Sequence, residues 1–156
     1  MQAVQKTLKT LIKNNKKLCC AESITGGLIA SAIVDLPGAS EVFCGSLVTY
    51  TDKAKHDLLN IPKKTLKKHG AVSHATAALM AKNALKLYNA DYALASTGFA
   101  GPAGDDVGLC FIGLASKYSC HVYRLQLSGE RNDIRRAAAL SAYIILNKFM
   151  KGNNNG

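Results

Sequence analysis

Ser23 stands in the run Ala21-Glu22-Ser23-Ile24-Thr25-Gly26-Gly27, where the strand-like segment Lys17-Leu18-Cys19-Cys20 passes into a helix-like one, Leu28 to Leu36. In an open α/β sheet such a junction puts the hydroxyl at the carboxyl end of a strand, beside helix N-terminal amides that have no partner inside the helix. Two chemistries compete for it. Ser and Thr are favoured helix caps because their oxygens accept from the N2 or N3 amide, and on residue type alone capping leads. Gly26 and Gly27 argue the other way. In a helical first turn each is unfavourable by up to about 1 kcal/mol relative to Ala, so the pair points to a ligand or another backbone approaching closely. On that reading Ser23 is a nucleophile with a built-in anion site, and the amides after it suit an oxyanion hole. The segment is not the Gly-x-Ser-x-Gly elbow.

A second glycine-rich loop, Gly98-Phe99-Ala100-Gly101-Pro102-Ala103-Gly104, also follows a strand-like run. It reads either as a wide surface turn or as a phosphate cradle of loop amides. Neither Gly-x-Gly-x-x-Gly nor the Walker pattern occurs. The five cysteines contain no Cys-x-x-Cys pair and mostly lie in apolar runs, which predicts buried, reduced thiols. The four histidines lack metal-site spacing, so neither a metal nor another cofactor is expected.

These residues need a scaffold, and the periodicity predicts helix, strand, helix, strand, a helical stretch of several segments, then three strands and a last helix. Helices are expected at 2–15, 24–36, 52–59, 73–88 and 131–151, a short turn or helix at 62–69, and strands at 17–22, 42–51, 91–97, 107–116 and 119–127. Ala77, Met80, Ala81, Ala84 and Leu87 share one helical face and are expected in the core. The fold class is therefore α/β: one three-layer α/β/α domain over 1–151, with a mixed, mostly parallel sheet of about five strands and a frayed tail at 152–156.

At 156 residues and 48% hydrophobic, the chain is long enough for one core. No apolar run suits a signal peptide or a membrane span, so a cytoplasmic protein with no membrane partner is expected. The net charge of +10 is carried mainly by Lys, many of them in Lys6 to Lys17 and Lys53 to Lys68. That pattern reads as solvated faces that attract anions. With four Arg and no aromatic platform, specific nucleic-acid recognition is not expected.

Six ordered segments carry a resemblance to a known family. They are Ala21-Glu22-Ser23-x-Thr25-Gly26-Gly27, Pro37-Gly38-Ala39-Ser40, Val48 to Lys55, His69-Gly70-Ala71-Val72-Ser73, Thr97-Gly98-Phe99-Ala100-Gly101-Pro102, and Ser128-Gly129-x-Arg131 with Arg135. Together they resemble the CinA C-terminal domain, the family of bacterial nicotinamide-nucleotide amidohydrolases, over essentially the whole chain. The resemblance implies a metal-independent Ser-Lys amidohydrolase that converts nicotinamide mononucleotide and water to nicotinate mononucleotide and ammonia. It implies Ser23 as nucleophile, Lys55 as base and Tyr50 as the residue that assists or positions it. Arg135 is implied as a phosphate or substrate contact, Arg131 as a second candidate, and a homodimer or larger homo-oligomer as the assembly. A small anionic nucleotide is the expected partner.

Independently of any family, a Ser hydroxyl needs a base at neutral pH, and a Lys serves only if burial or nearby positive charge lowers its pKa toward about 7 to 8. Glu22 has three readings: positioning Lys55, meeting a substrate hydroxyl, or pairing with a surface Lys. Ser40 and Thr97 are candidate ligand contacts whose alternative is turn or cap chemistry. Thr25, Gly26, Gly27, Gly98 and Gly101 complete the substrate-binding set. The chain departs from the family pattern at Lys53, where a Glu is usual, at Phe99, and in a shorter, acidic loop, Ala103-Gly104-Asp105-Asp106. A non-catalytic binding module and an amidase for another nucleotide are the alternatives that these departures leave open.

Overall fold

A computed structural model of the chain describes residues 1–153. Its centre is the strand Leu18–Glu22 (β1), buried over its whole length. Hydrogen bonding on both sides and helices on both faces explain why it reads as a continuous apolar run instead of an alternating one. Phe43–Val48 (β2) and Tyr92–Gly98 (β3) flank it in parallel, with Cys20 opposite Ser46 and Leu94, and Glu22 opposite Val48 and Ser96. Leu109–Ser116 (β4) runs antiparallel to β3, and Cys120–Gln126 (β5) antiparallel to β4, giving the order β2-β1-β3-β4-β5.

Alternation along the strands sorts the core into two layers. Leu18, Cys20, Leu94, Ile112 and Leu114 face three helices: Gln2–Lys13 (α1), Leu28–Val34 (α2) and Arg131–Asn153 (α6). Cys19, Ala21, Ala93, Ala95 and Ala115 face the other three: Asp52–Leu59 (α3), Lys63–His69 (α4) and His74–Tyr88 (α5). The second set is small because α5 lies close to the sheet. A Cβ at Gly113 would come within 2.5 Å of Ala77 O and 3.1 Å of the Ala81 Cβ. Gly113→Ala is therefore expected to cost about 1–3 kcal/mol through overpacking, which thermal melting reads at about 2–4 °C per kcal/mol for a chain of this length. An unchanged melting temperature would show that α5 can withdraw freely.

The fold is the expected three-layer α/β/α domain, and most boundaries fall within a few residues of the predicted ones. The main difference lies beside the site. The helix expected from residue 24 begins at Leu28, because Gly26 and Gly27 take left-handed φ of 55° and 101° and hold 24–27 as a turn. Leu87, expected in the core, is 60% exposed, because the buried stripe Ala77, Ala81 and Ala84 continues at Tyr88, which packs over Gly45 of β2. A short 3₁₀ turn, Ala39–Glu41, was not foreseen. Gly152 and Asn153, expected in the tail, continue α6, and the rest of that tail lies outside the described residues. Among the described residues no helix is long and apolar enough to cross a membrane, and the five cysteines are free.

Candidate active site

The carboxyl ends of β1, β2 and β3 bring three loops together. β1 ends at Glu22 and delivers Ser23, whose amide donates to Ser96 O of β3 at 2.9 Å. Beyond β2, Thr49 donates its amide to Glu22 O at 2.9 Å, and Thr51 then caps α3 by accepting from the Ala54 amide at 3.1 Å. That cap sets the first turn of α3, and the first turn aims Lys55 inward. Lys55 is 1% exposed, and its Nζ lies 3.1 Å from Ser23 Oγ.

The other neighbours of that amine are carbonyls. Nζ donates to Thr49 O at 2.9 Å and to Tyr50 O at 3.4 Å. A neutral amine has two N–H bonds and one lone pair. With both N–H bonds held by carbonyls, the lone pair is left for the Ser23 hydroxyl. Burial lowers the Lys55 pKa from its ordinary value, and the Asp52 carboxylate on the same helix partly opposes that shift.

Above the pair lies a pocket of about 220 Å³ lined by Ser23, Lys55, Tyr50, Thr97, Gly98 and Arg131, together with Ile24, Ala71, Val72 and Ala100. Arg131 spans its mouth from α6, donating Nη1 to Gly101 O at 2.5 Å and Nη2 to the Tyr50 hydroxyl at 3.1 Å. Thr97 is buried and donates its hydroxyl to Ala71 O at 2.7 Å, tying β3 to the loop before α5. Gly98 closes one wall, where a Cβ would meet Leu109 O at 2.8 Å and the Ile24 side chain at 2.9 Å. Arg131 and Lys55 are the cationic groups at this pocket.

Several expected contacts lie elsewhere. Ser40 sits in the 3₁₀ turn and lines a different hollow, with Val34, Leu36 and Phe43. Ser23 is no helix cap, since Gly27 occupies that position. The α2 amides are not open to an oxyanion either, because the buried Glu22 carboxylate fills their place. Its Oε1 accepts from the Gly27 amide at 3.2 Å, the Ile29 amide at 2.8 Å and the Thr25 hydroxyl at 2.7 Å. Its Oε2 accepts from the Ala30 amide at 3.1 Å and the Ser46 hydroxyl at 2.9 Å. None of the three readings of Glu22 named this partner. Arg135 lies outside the pocket lining and donates to Ile24 O and Thr25 O. The room left by Gly26 belongs to that side chain: a Cβ there would be 3.0 Å from Arg135 Nη2.

The turn itself offers donors for an anion at the pocket. Among the described residues the amides of Ile24 and Thr25 have no protein acceptor, and Ile24 lines the pocket. Sequence reasoning passed over Ser96, which holds the Ser23 amide, and the pocket walls Ala71 and Val72. The run His69 to Ser73 was the available signal for those walls. No group of three or more His, Cys, Asp or Glu side chains is gathered for a metal among the described residues.

Comparison with known proteins gives a consistent picture. The family model for the CinA C-terminal domain matches residues 1–150. A competence-damage inducible protein of Thermoanaerobacter pseudethanolicus is 44% identical over 149 residues, covering 93% of this chain and 36% of its own length. A CinA-like protein of Endomicrobium trichonymphae is 42% identical over 144 residues, covering 90% and 34%. The chain thus spans about a third of these relatives. Among solved structures, competence damage-inducible protein A of Klebsiella pneumoniae superposes with a TM-score of 0.94 at 27% identity, covering 96% of both chains. A competence/damage inducible protein of Agrobacterium tumefaciens superposes at 0.90 with 34% identity, covering 93% of this chain and 92% of its own.

Proposed function

The chain belongs to the CinA C-terminal domain family, and on that premise we propose that it is a Ser-Lys amidohydrolase that deamidates nicotinamide mononucleotide. The observation that carries the reading is the 3.1 Å approach of the buried Lys55 amine to Ser23 Oγ. Neutral Lys55 takes the Ser23 proton as Oγ attacks the amide carbon; the C=O π bond opens onto oxygen, and the carbon becomes a tetrahedral centre bearing a negative oxygen. The Ile24 amide, with Thr25 behind it, meets that oxygen. The Lys55 ammonium returns its proton to the leaving nitrogen, ammonia departs, and an acyl ester remains on Ser23. Water, deprotonated by Lys55, attacks the ester, and collapse releases the carboxylate and restores the Ser23 hydroxyl.

Recognition of the nucleotide phosphate passes from Arg135 to Arg131. Arg135 is committed to the turn, whereas Arg131 stands exposed at the pocket mouth and can exchange the Tyr50 hydroxyl for an anion. A planar fork suits a phosphate, and remote binding energy of this kind orients the reacting amide. Ammonia release from nicotinamide mononucleotide, and from its dephosphorylated nucleoside, tests the proposal. The wild type is expected to prefer the nucleotide. Arg131→Ala is expected to raise the nucleotide KM by on the order of tenfold, the loss of one charge-assisted pair, and to leave the nucleoside reaction nearly unchanged. Ammonia release from the nucleotide no greater than that of Ser23→Ala would reject the activity.

A further inference from the structure

Arg135, implied as a substrate contact, and Glu22, for which a substrate hydroxyl was one of three readings, bind the same short turn from opposite sides. Glu22 holds the amide side: the start of α2 and the Thr25 hydroxyl. Arg135 holds the carbonyl side, with Nε on Ile24 O at 3.0 Å and Nη2 on Thr25 O at 3.1 Å, while Nη1 on Asn132 Oδ1 at 3.0 Å steadies the guanidinium. The third carbonyl of the turn, Ser23 O, accepts from the Gly26 amide at 3.0 Å. A trans peptide is planar, with its C=O and N–H opposed. Holding the carbonyls of Ser23, Ile24 and Thr25 therefore aims the amides of Ile24, Thr25 and Gly26. Gly26 is used inside the turn, and the other two are the amides with no protein acceptor.

We infer that Glu22 and Arg135 are an opposed pair of positioning residues that hold the turn after Ser23 and thereby aim its oxyanion-facing amides, and that Arg135 is not part of the anion site. The inference rests on the Ser-Lys reading only for what the amides do, not for how they are held. Two adjacent carbonyls call for the Arg fork, which a Lys point charge does not reproduce. Five donors on one buried carboxylate likewise require both of its oxygens. A Gln there would turn an N–H₂ toward the Ala30 amide or toward the Gly27 and Ile29 amides, donor against donor.

The test compares wild type, Arg135→Lys, Arg135→Ala and Glu22→Gln by hydrogen exchange of residues 22–30, by deamidation of nucleotide and nucleoside, and by the rate at which a fluorophosphonate labels Ser23. Arg135→Lys is expected to speed exchange in the turn about tenfold or more while β3 and β4 stay protected, because the change is a local opening. Its kcat is expected to fall about 10- to 100-fold by the same factor on both substrates, with KM within about twofold, as befits a misplaced group. Added guanidinium should restore part of the Arg135→Ala loss. A KM rise confined to the nucleotide, with unchanged exchange, would overturn the inference and make Arg135 a phosphate ligand. If the wild type releases no ammonia, the substrate assignment fails by itself. Turn exchange then decides: faster exchange in Arg135→Lys upholds the clamp and unchanged exchange overturns it, whether or not the label reacts. If Glu22→Gln does not fold, Ser46→Ala removes one donor from Glu22 and should show a smaller rise in the same segment; no rise would overturn the Glu22 half.

Discussion

Ser23→Ala is expected to remove deamidation almost entirely, by on the order of 10⁴–10⁶ in kcat, while leaving a folded protein. The hydroxyl's recorded partner is the Lys55 amine, so the folding cost is that of one side-chain hydrogen bond, about 1 kcal/mol. The capping cost expected from the sequence does not arise, because Gly27 is the cap. Every bond that shapes the turn passes through backbone atoms or through Glu22, Ser96 and Arg135, and all of these persist in the variant. Ammonia release and thermal melting of the two proteins decide the matter. A folded Ser23→Ala protein that retains activity would remove the covalent route.

Lys55 is expected to show in two pH profiles. Because the base must be neutral, the rate should rise with pH through the lowered Lys55 pKa, below the ordinary value of about 10.4. Asp52→Asn removes the charge that opposes the lowering and should move this limb further toward acid. Lys55→Arg should be inactive at every working pH, since a guanidinium keeps its proton. The stability profile follows from the same shift. Below the folded pKa both states carry the proton, and the native state bears the full cost of a buried ammonium. Between the folded pKa and the unfolded value the native Lys55 is already neutral while the unfolded one still binds its proton, so stability rises with pH through that window. The difference in unfolding free energy between wild type and Lys55→Met should therefore change in favour of the wild type as pH increases. A difference that stays flat up to pH about 10.4 would mean that Lys55 titrates as a free lysine.

Sequence alone determined the layered architecture, because apolar periodicity and Gly, Pro and Ser punctuation are local signals that burial turns directly into strands and helices. It also singled out Ser23, Tyr50, Lys55, Thr97, Gly98 and Arg131, through runs whose order and residue types resemble one family. Composition could not have chosen Lys55 from sixteen lysines, since what distinguishes it is burial against two carbonyls. The start of α2 was misplaced for a related reason. Propensity treats Gly26 and Gly27 as poor helix residues, whereas in the fold both are left-handed turn residues and Gly26 leaves space for Arg135. Arg135 was implied as a substrate contact and Glu22 stayed open among three readings, because the type of a charged residue carries no mark of where its charge is satisfied. Only the tertiary structure decided that, by bringing α6, 110 residues distant in sequence, onto the Thr25 carbonyl and by turning the carboxylate back into the helix it precedes. A buried charge must find its partners within hydrogen-bond reach, and which partners are within reach is a property of packing that no local pattern records.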